Sequence, residues 1–94
     1  MLPPMRIRNW PEDVLQIGKE LFIEKALYSK ELTRANQTTK EVKNVIKEYI
    51  GGNRILYLFN LVLEDDEGQI REVTVKVAVD QERNIELYSF KVLR

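Results

Sequence analysis

The residues best suited to chemistry in this chain are four consecutive acids, EDDE at positions 64–67. Carboxylate oxygens of this kind attract Mg²⁺ or Ca²⁺. Their spacing is not that of an EF-hand loop, however, and consecutive strand residues point to alternate faces. Gly68 follows at once, which is typical of a hairpin turn. The sequence therefore favours a soluble hairpin tip, and we predict no metal site.

Nucleophiles and bases are scarce along the whole chain. There is no Cys and no His, which removes the thiolate, the commonest base near neutral pH and the commonest zinc ligand. Ser29 and Ser89 are the serines, and neither has a His to activate it. Gly51 and Gly52 belong to no phosphate-loop motif. We predict that the protein is not an enzyme and needs no cofactor.

Size and composition indicate one globular domain over residues 1–94, with 44% hydrophobic and 32% charged residues. Fifteen basic residues balance fifteen acidic ones, which argues against a dedicated polyanion binder. The start MLPPMRIRNW lacks the apolar region of a signal peptide, and no apolar run approaches the roughly 20 residues that span a bilayer. A soluble, cytoplasmic protein with no membrane partner is the expectation.

Two helices are predicted in the first half. Residues 1–10 form an arm or a short edge strand, and a helix over 11–34 begins at Pro11, a residue suited to the first helical position. A second helix over 38–50 is indicated by Thr38 and Glu41 at capping-box spacing. Gly51 would end it. Its apolar positions recur at helical spacing and comprise Val42, Val45, Ile46, Tyr49 and Ile50.

Three strands of a meander are predicted over residues 54–94, the first of them apolar on both faces. The complete prediction is an α+β fold in the order (β)-α-α-β-β-β, with two helices packed on one face of a three- or four-stranded antiparallel sheet. A three-residue loop ending at Gly68 assigns alternate residues of the first two strands to the core. These are Ile55, Tyr57, Phe59, Leu61, Leu63, Val73, Val75, Val77 and Val79.

The opposite face of the sheet is where we predict an interaction surface. A four-residue loop over 81–84 places Ile85 and Leu87 on that face, whereas a bulge near Tyr88 would send both into the core. Ile23 and Leu27 form a second exposed apolar spot on the first helix. The predicted interface residues are Leu56, Leu58, Val62, Ile85, Leu87, Ile23 and Leu27.

The predicted partner of this surface is a second copy of the chain, as a homodimer, or another protein. In an alternative, the arm folds across the same face within one chain, using Met1, Leu2, Met5, Ile7 and Trp10. Nucleic-acid binding is the other hypothesis, through basic residues and a stacking Trp. Its residues would be Arg6, Arg8, Trp10, Lys40, Lys43, Lys47 and Arg54.

The predicted order of two helices and a meander resembles PepSY-type and cystatin-like α+β domains in architecture alone. With MRIRNW as a strand, it is also similar to small ribonuclease toxins of toxin–antitoxin modules. Those toxins use basic or His residues near the sheet, and the last predicted strand offers Lys91 and Arg94. No motif matches, so the resemblance implies no function.

Overall fold

Within residues 12–94, the fold consists of one helix and a four-stranded antiparallel sheet. The computed structural model describes residues 12–94. Its elements are α1 (Glu12–Tyr28), β1 (Gln37–Gly51), β2 (Arg54–Asp65), β3 (Ile70–Val79) and β4 (Ile85–Val92). The sheet order is β1-β2-β3-β4, so every strand pairs with its neighbour in sequence. The α+β class is confirmed, while the prediction for residues 1–10 lies outside the described part of the chain.

The second predicted helix, over 38–50, is wrong, because this segment is β1. Its register with β2 shifts between Thr39 and Glu41 and again between Val42 and Asn44. Each bulge adds one residue, so Val42 and Val45 lie on the same face although they are three apart. Bulges thereby imitate helical spacing. The β-branched side chains of this segment favour a strand, and that preference prevails.

The two glycines also have another role than the one predicted. Instead of ending a helix, they form the turn that connects β1 to β2, with Gly51 paired to Arg54. The φ angles of Gly51, Gly52 and Asn53 are 87°, 62° and 59°. Left-handed residues are what a tight hairpin between twisted strands requires, and Gly and Asn adopt this conformation most readily.

Helix α1 ends at Tyr28, earlier than the predicted end at residue 34. Lys30 has a φ of 66°, and the N–H groups of Glu31 and Leu32 donate to the Ala26 carbonyl at 2.9 and 3.1 Å. This left-handed ending satisfies carbonyls that the last helical turn leaves open. It also returns the chain to the core, where Leu32 is buried.

The hydrophobic core lies between α1 and one face of the sheet, here called the helix face. Val14, Phe22 and Ala26 project from the helix and are fully buried. Phe22 meets Phe90 of β4 edge to face, with ring centroids 5.2 Å apart. A Cβ on Gly18 would lie 3.1 Å from a methyl group of Val77, so glycine permits the close approach of helix and sheet. The opposite surface of the sheet is here called the outer face.

The pairing of β2 with β3 confirms the predicted register. Phe59 lies opposite Val75, and Leu61 lies opposite Val73. All four side chains are fully buried on the helix face. The turn is also as predicted, since Asp65 donates to the Gln69 carbonyl at 3.0 Å and Gly68 has a φ of 81°.

The predicted outer-face position of Ile85 and Leu87 is wrong. Asp80 pairs with Asn84 across a three-residue loop, so the register differs by one from the four-residue prediction. Ile85 and Leu87 consequently lie opposite Val79 and Val77 and pack against the core. A register shift at Tyr88 and Ser89 then keeps the end of β4 on the helix face. The bulge alternative is therefore the arrangement observed.

Candidate interaction surface on the sheet

The most exposed part of the sheet is its edge strand β1. Within residues 12–94, β1 pairs with β2 alone. Along a sheet edge, alternate N–H and C=O groups point away from the neighbouring strand, where another strand can bind them. Every side chain from Lys40 to Tyr49 is exposed. At 15 residues, β1 is also the longest strand.

Several of these side chains are apolar, and they are exposed because helix α1 does not cover β1. Helix α1 packs on β3 and β4, at the other side of the sheet. Val45 lies directly opposite Phe59, and Tyr49 lies opposite Ile55, so both project from the helix face. Yet Val45 is 37% exposed and Tyr49 is 77% exposed. Val45 and Tyr49 are residue types typical of a core strand, but the buried core ends at the neighbouring strand β2.

The outer face carries the remaining apolar residue of β1 beside the predicted residues of β2. Ile46 lies opposite Leu58 and is 47% exposed. Leu58 and Val62 are half-buried, and Leu56 is buried. The outer face therefore contains an apolar strip along β1 and β2, of which Ile46 is the most accessible part.

Ion pairs border this strip. Glu72 of β3 lies 3.3 Å from Lys43 Nζ and 3.1 Å from Arg94 Nη2. The hydrogen bond from Lys43 is the main cause that holds the pKa of the Glu72 carboxyl below its ordinary value, and Arg94 adds to it. Lys40 pairs with Glu64 in the same way, at 3.2 Å. Such exposed pairs contribute little stability, but they direct both bulged lysines toward the outer face.

The seven predicted interface residues do not form one surface. Leu56, Leu58 and Val62 share the outer face, as predicted. Ile85 and Leu87 pack against the core from the helix face of the sheet, and Ile23 and Leu27 pack against it from α1. The helix stripe is centred on Phe22 and Ala26, so Ile23 and Leu27 fall on its flank and not on the solvent side.

Four exposed apolar residues of β1 are absent from the predicted interface: Val42, Val45, Ile46 and Tyr49. Their spacing was interpreted as the buried stripe of a second helix. The signal that could have identified them is the local excess of β-branched residues before a Gly-Gly-Asn turn.

Those of the predicted nucleic-acid residues that the structure describes are also dispersed. Arg6, Arg8 and Trp10 lie outside the described residues. Lys40 and Lys43 are ion-paired on the outer face, and Arg54 lies 3.1 Å from Glu86. Lys47 lies opposite Tyr57, on the helix face. Since a polyanion site needs a concentrated positive field, this arrangement gives the hypothesis no added support.

The acidic stretch 64–67 lies at the turn between β2 and β3, as the hairpin interpretation predicts. Arg34 Nη2 lies 2.7 Å from Glu67 Oε2, and Arg34 Nη1 lies 3.6 Å from Asp66 Oδ1. Across residues 12–94, no three acidic side chains gather as a metal site would require. The acids here stabilise a turn and a neighbouring loop.

Asp65 and Asp80 begin the two three-residue turns in the same manner. Each Oδ1 accepts backbone N–H groups two and four residues later, all at 2.9 Å. The hydrogen bond from Gln69 is the main cause that lowers the pKa of Asp65, and the bond from Asn84 does the same for Asp80. Ionised carboxylates therefore hold both turns.

Low pH is expected to destabilise these two turns. A carboxyl whose pKa is lower in the folded state stabilises the fold above its unfolded pKa of about 3.9, and that contribution is lost as the pH falls through the folded value. We expect the urea concentration at the midpoint of unfolding to decrease as the pH is lowered below about 4. In the Asp65→Asn/Asp80→Asn double variant this decrease should be smaller. Glu24→Gln, on the exposed side of α1, is the matched control. If the urea midpoint of the double variant depended on pH as strongly as that of the wild type, this role would be contradicted.

A cleft of about 550 Å³ opens where the β1–β2 and β3–β4 turns meet. Its lining includes Tyr49, Ile55 and Val79 together with the charged residues Lys47 and Asp80. Because apolar and charged side chains both line this cleft, its lining does not indicate one chemical class of ligand.

No family model, no curated protein and no solved structure matches this chain. No helix of residues 12–94 combines the length and apolar character needed to cross a membrane.

Proposed function

We propose that this chain is a small, non-catalytic protein-interaction module that self-associates through its sheet, as a homodimer. The supporting observation is β1, an edge strand that exposes apolar side chains on both faces. Exposed apolar edges of this kind usually bind another strand or another protein. The cysteine-free composition agrees with a cytoplasmic location.

The two halves of β1 differ in a way that favours binding. Proteins protect sheet edges with bulges and with lysines. In β1, two bulges and the ion-paired Lys40 and Lys43 occupy the first half. From Asn44 to Tyr49 the register is unbroken, and this half includes the most exposed apolar side chains, Ile46 and Tyr49. Lys47 lies in this half and a third register shift follows Tyr49, but no bulge interrupts the strand between Asn44 and Tyr49, where the apolar residues are most exposed.

Chemistry elsewhere in the described chain offers no competing role. The chain has no His or Cys. Of the four clustered acids, Glu64, Asp66 and Glu67 face cationic partners, and Asp65 is bound to backbone N–H groups. Each of these four carboxylates is engaged in an ion pair or in a turn, which supports a structural role for the acidic stretch.

Light scattering coupled to size exclusion tests the proposal. The chain mass is 11.1 kDa. We expect twice this mass at high micromolar concentration, falling toward the monomer value on dilution, because a dimer formed through one edge obeys mass action. A monomer mass over the whole range would remove the self-association proposal.

A further inference from the structure

We propose that the second copy pairs antiparallel with β1 about a two-fold axis at Ile46, so that two four-stranded sheets become one of eight strands. This inference rests on the proposed function and specifies its geometry. A two-fold axis is the commonest symmetry of homodimers, and it requires the same strand from each copy. The axis position decides which side chains meet.

The bulges restrict where an even ladder can form. Residues Asn44–Tyr49 pair with β2 without a register shift, whereas Lys43 is an extra residue between Val42 and Asn44. Antiparallel partners that lie directly opposite each other share a face. An axis within the regular run therefore pairs helix-face residues with helix-face residues, and outer-face residues with outer-face residues.

An axis at Ile46 gives compatible pairs throughout this run. Ile46 meets its own copy on the outer face, and Asn44 meets Glu48 there, as an amide donor to a carboxylate. On the helix face Val45 meets Lys47, whose aliphatic stem can pack on it. These five residues place no like charges opposite each other.

Beyond the Lys43 bulge the same axis brings Val42 opposite Tyr49. Both lie on the helix face, where they pair with Leu61 and Ile55 of their own β2. An aromatic side chain opposite a β-branched one is among the favourable cross-strand pairs. Three of the four exposed apolar residues of β1 thus gain an apolar partner in one register, including Tyr49, the most exposed of them.

Other axis positions are less favourable. An axis at Lys47 opposes two lysines, and one at Val45 brings Glu41 opposite Glu48. Like charges directly opposed destabilise a sheet. With an axis at Asn44, the Lys43 bulges of both copies lie directly beside the axis, and Ile46 lies opposite Glu41. Charge and apolar matching together select the Ile46 axis.

Single cysteines can test this register, because the chain contains no native cysteine. Directly opposed Cα atoms lie about 4.5–5.5 Å apart, within the range that a disulfide spans. We expect Ile46→Cys to form a disulfide-linked dimer on oxidation. In Glu48→Cys, the matched control, the two copies of the residue lie about 13 Å apart in this register and should not cross-link.

A mixture supplies an independent measurement. Asn44→Cys and Glu48→Cys should each stay unlinked alone and cross-link when the two proteins are mixed. Disulfide formation by Glu48→Cys alone, or none by Ile46→Cys and the mixture, would overturn the register if light scattering still gives a dimer. A monomeric wild-type chain would overturn the register and the proposed function together. Circular dichroism of each variant confirms that the sheet is intact.

Discussion

Replacing Phe22 by alanine is expected to lower the free energy of unfolding by about 3–5 kcal/mol, the usual cost of removing a buried aromatic side chain. Phe22 is fully buried and packs on Phe90 of β4. A small domain has only about 5–15 kcal/mol in total, so the loss should be evident as an early urea transition. The result would show that the packing of α1 on the sheet stabilises the fold.

Tyr28→Ala is the matched control for that experiment. It removes an aromatic side chain from the same helix, but Tyr28 is 82% exposed. We expect a change of about 0.5 kcal/mol or less, as for most surface substitutions. Both variants should be compared at one protein concentration, because association shifts apparent stability. Equal losses at Phe22 and Tyr28 would contradict the packing of α1 described above.

Val45→Lys is expected to weaken self-association by about tenfold or more. In the Ile46-centred register, each introduced ammonium group would oppose Lys47 of the second copy, and symmetry makes two such pairs. Each like-charge opposition costs roughly up to 1 kcal/mol, and tenfold in the dimer Kd corresponds to about 1.4 kcal/mol. Sedimentation equilibrium measures the change. Val45 is 37% exposed, so the variant should still fold.

Leu58→Lys distinguishes edge pairing from stacking of two outer faces. Leu58 lies on the outer face one strand behind the edge, opposite Ile46. We expect this variant to keep the wild-type dimer Kd, because its side chain does not oppose the second copy. If Leu58→Lys gave monomers while Val45→Lys left the dimer intact, the outer face and not the edge would be the contact.

The β2–β3 hairpin could be predicted from sequence because its signals agree. Gly68 supplies the left-handed turn residue, and the valines of β3 alternate without interruption. One short loop then fixes every pairing along two strands. The class of fold follows from such signals, and so does the turn position of the acidic stretch.

The edge strand could not be predicted in the same way. A bulge is set by hydrogen bonding between two strands, which no local residue pattern specifies. The bulge at Lys43 gives Val42 and Val45 the spacing of a helix face, and the Thr38–Glu41 spacing imitates a capping box. Similarly, one residue more or less in the loop after Asp80 decides whether Ile85 faces the core. Of the seven predicted interface residues, Leu56, Leu58 and Val62 therefore share the outer face, whereas Ile85, Leu87, Ile23 and Leu27 pack against the core.

Hydrogen–deuterium exchange at two protein concentrations tests the central claim most directly. Above the dimer Kd, the outward N–H groups of Asn44–Glu48 should be bound to the second copy and exchange slowly, whereas dilution below the Kd should speed their exchange. β4, the other edge strand of the described sheet, is the internal control and should exchange at the same rate in both samples. Equal rates in β1 at both concentrations would contradict self-association through this edge.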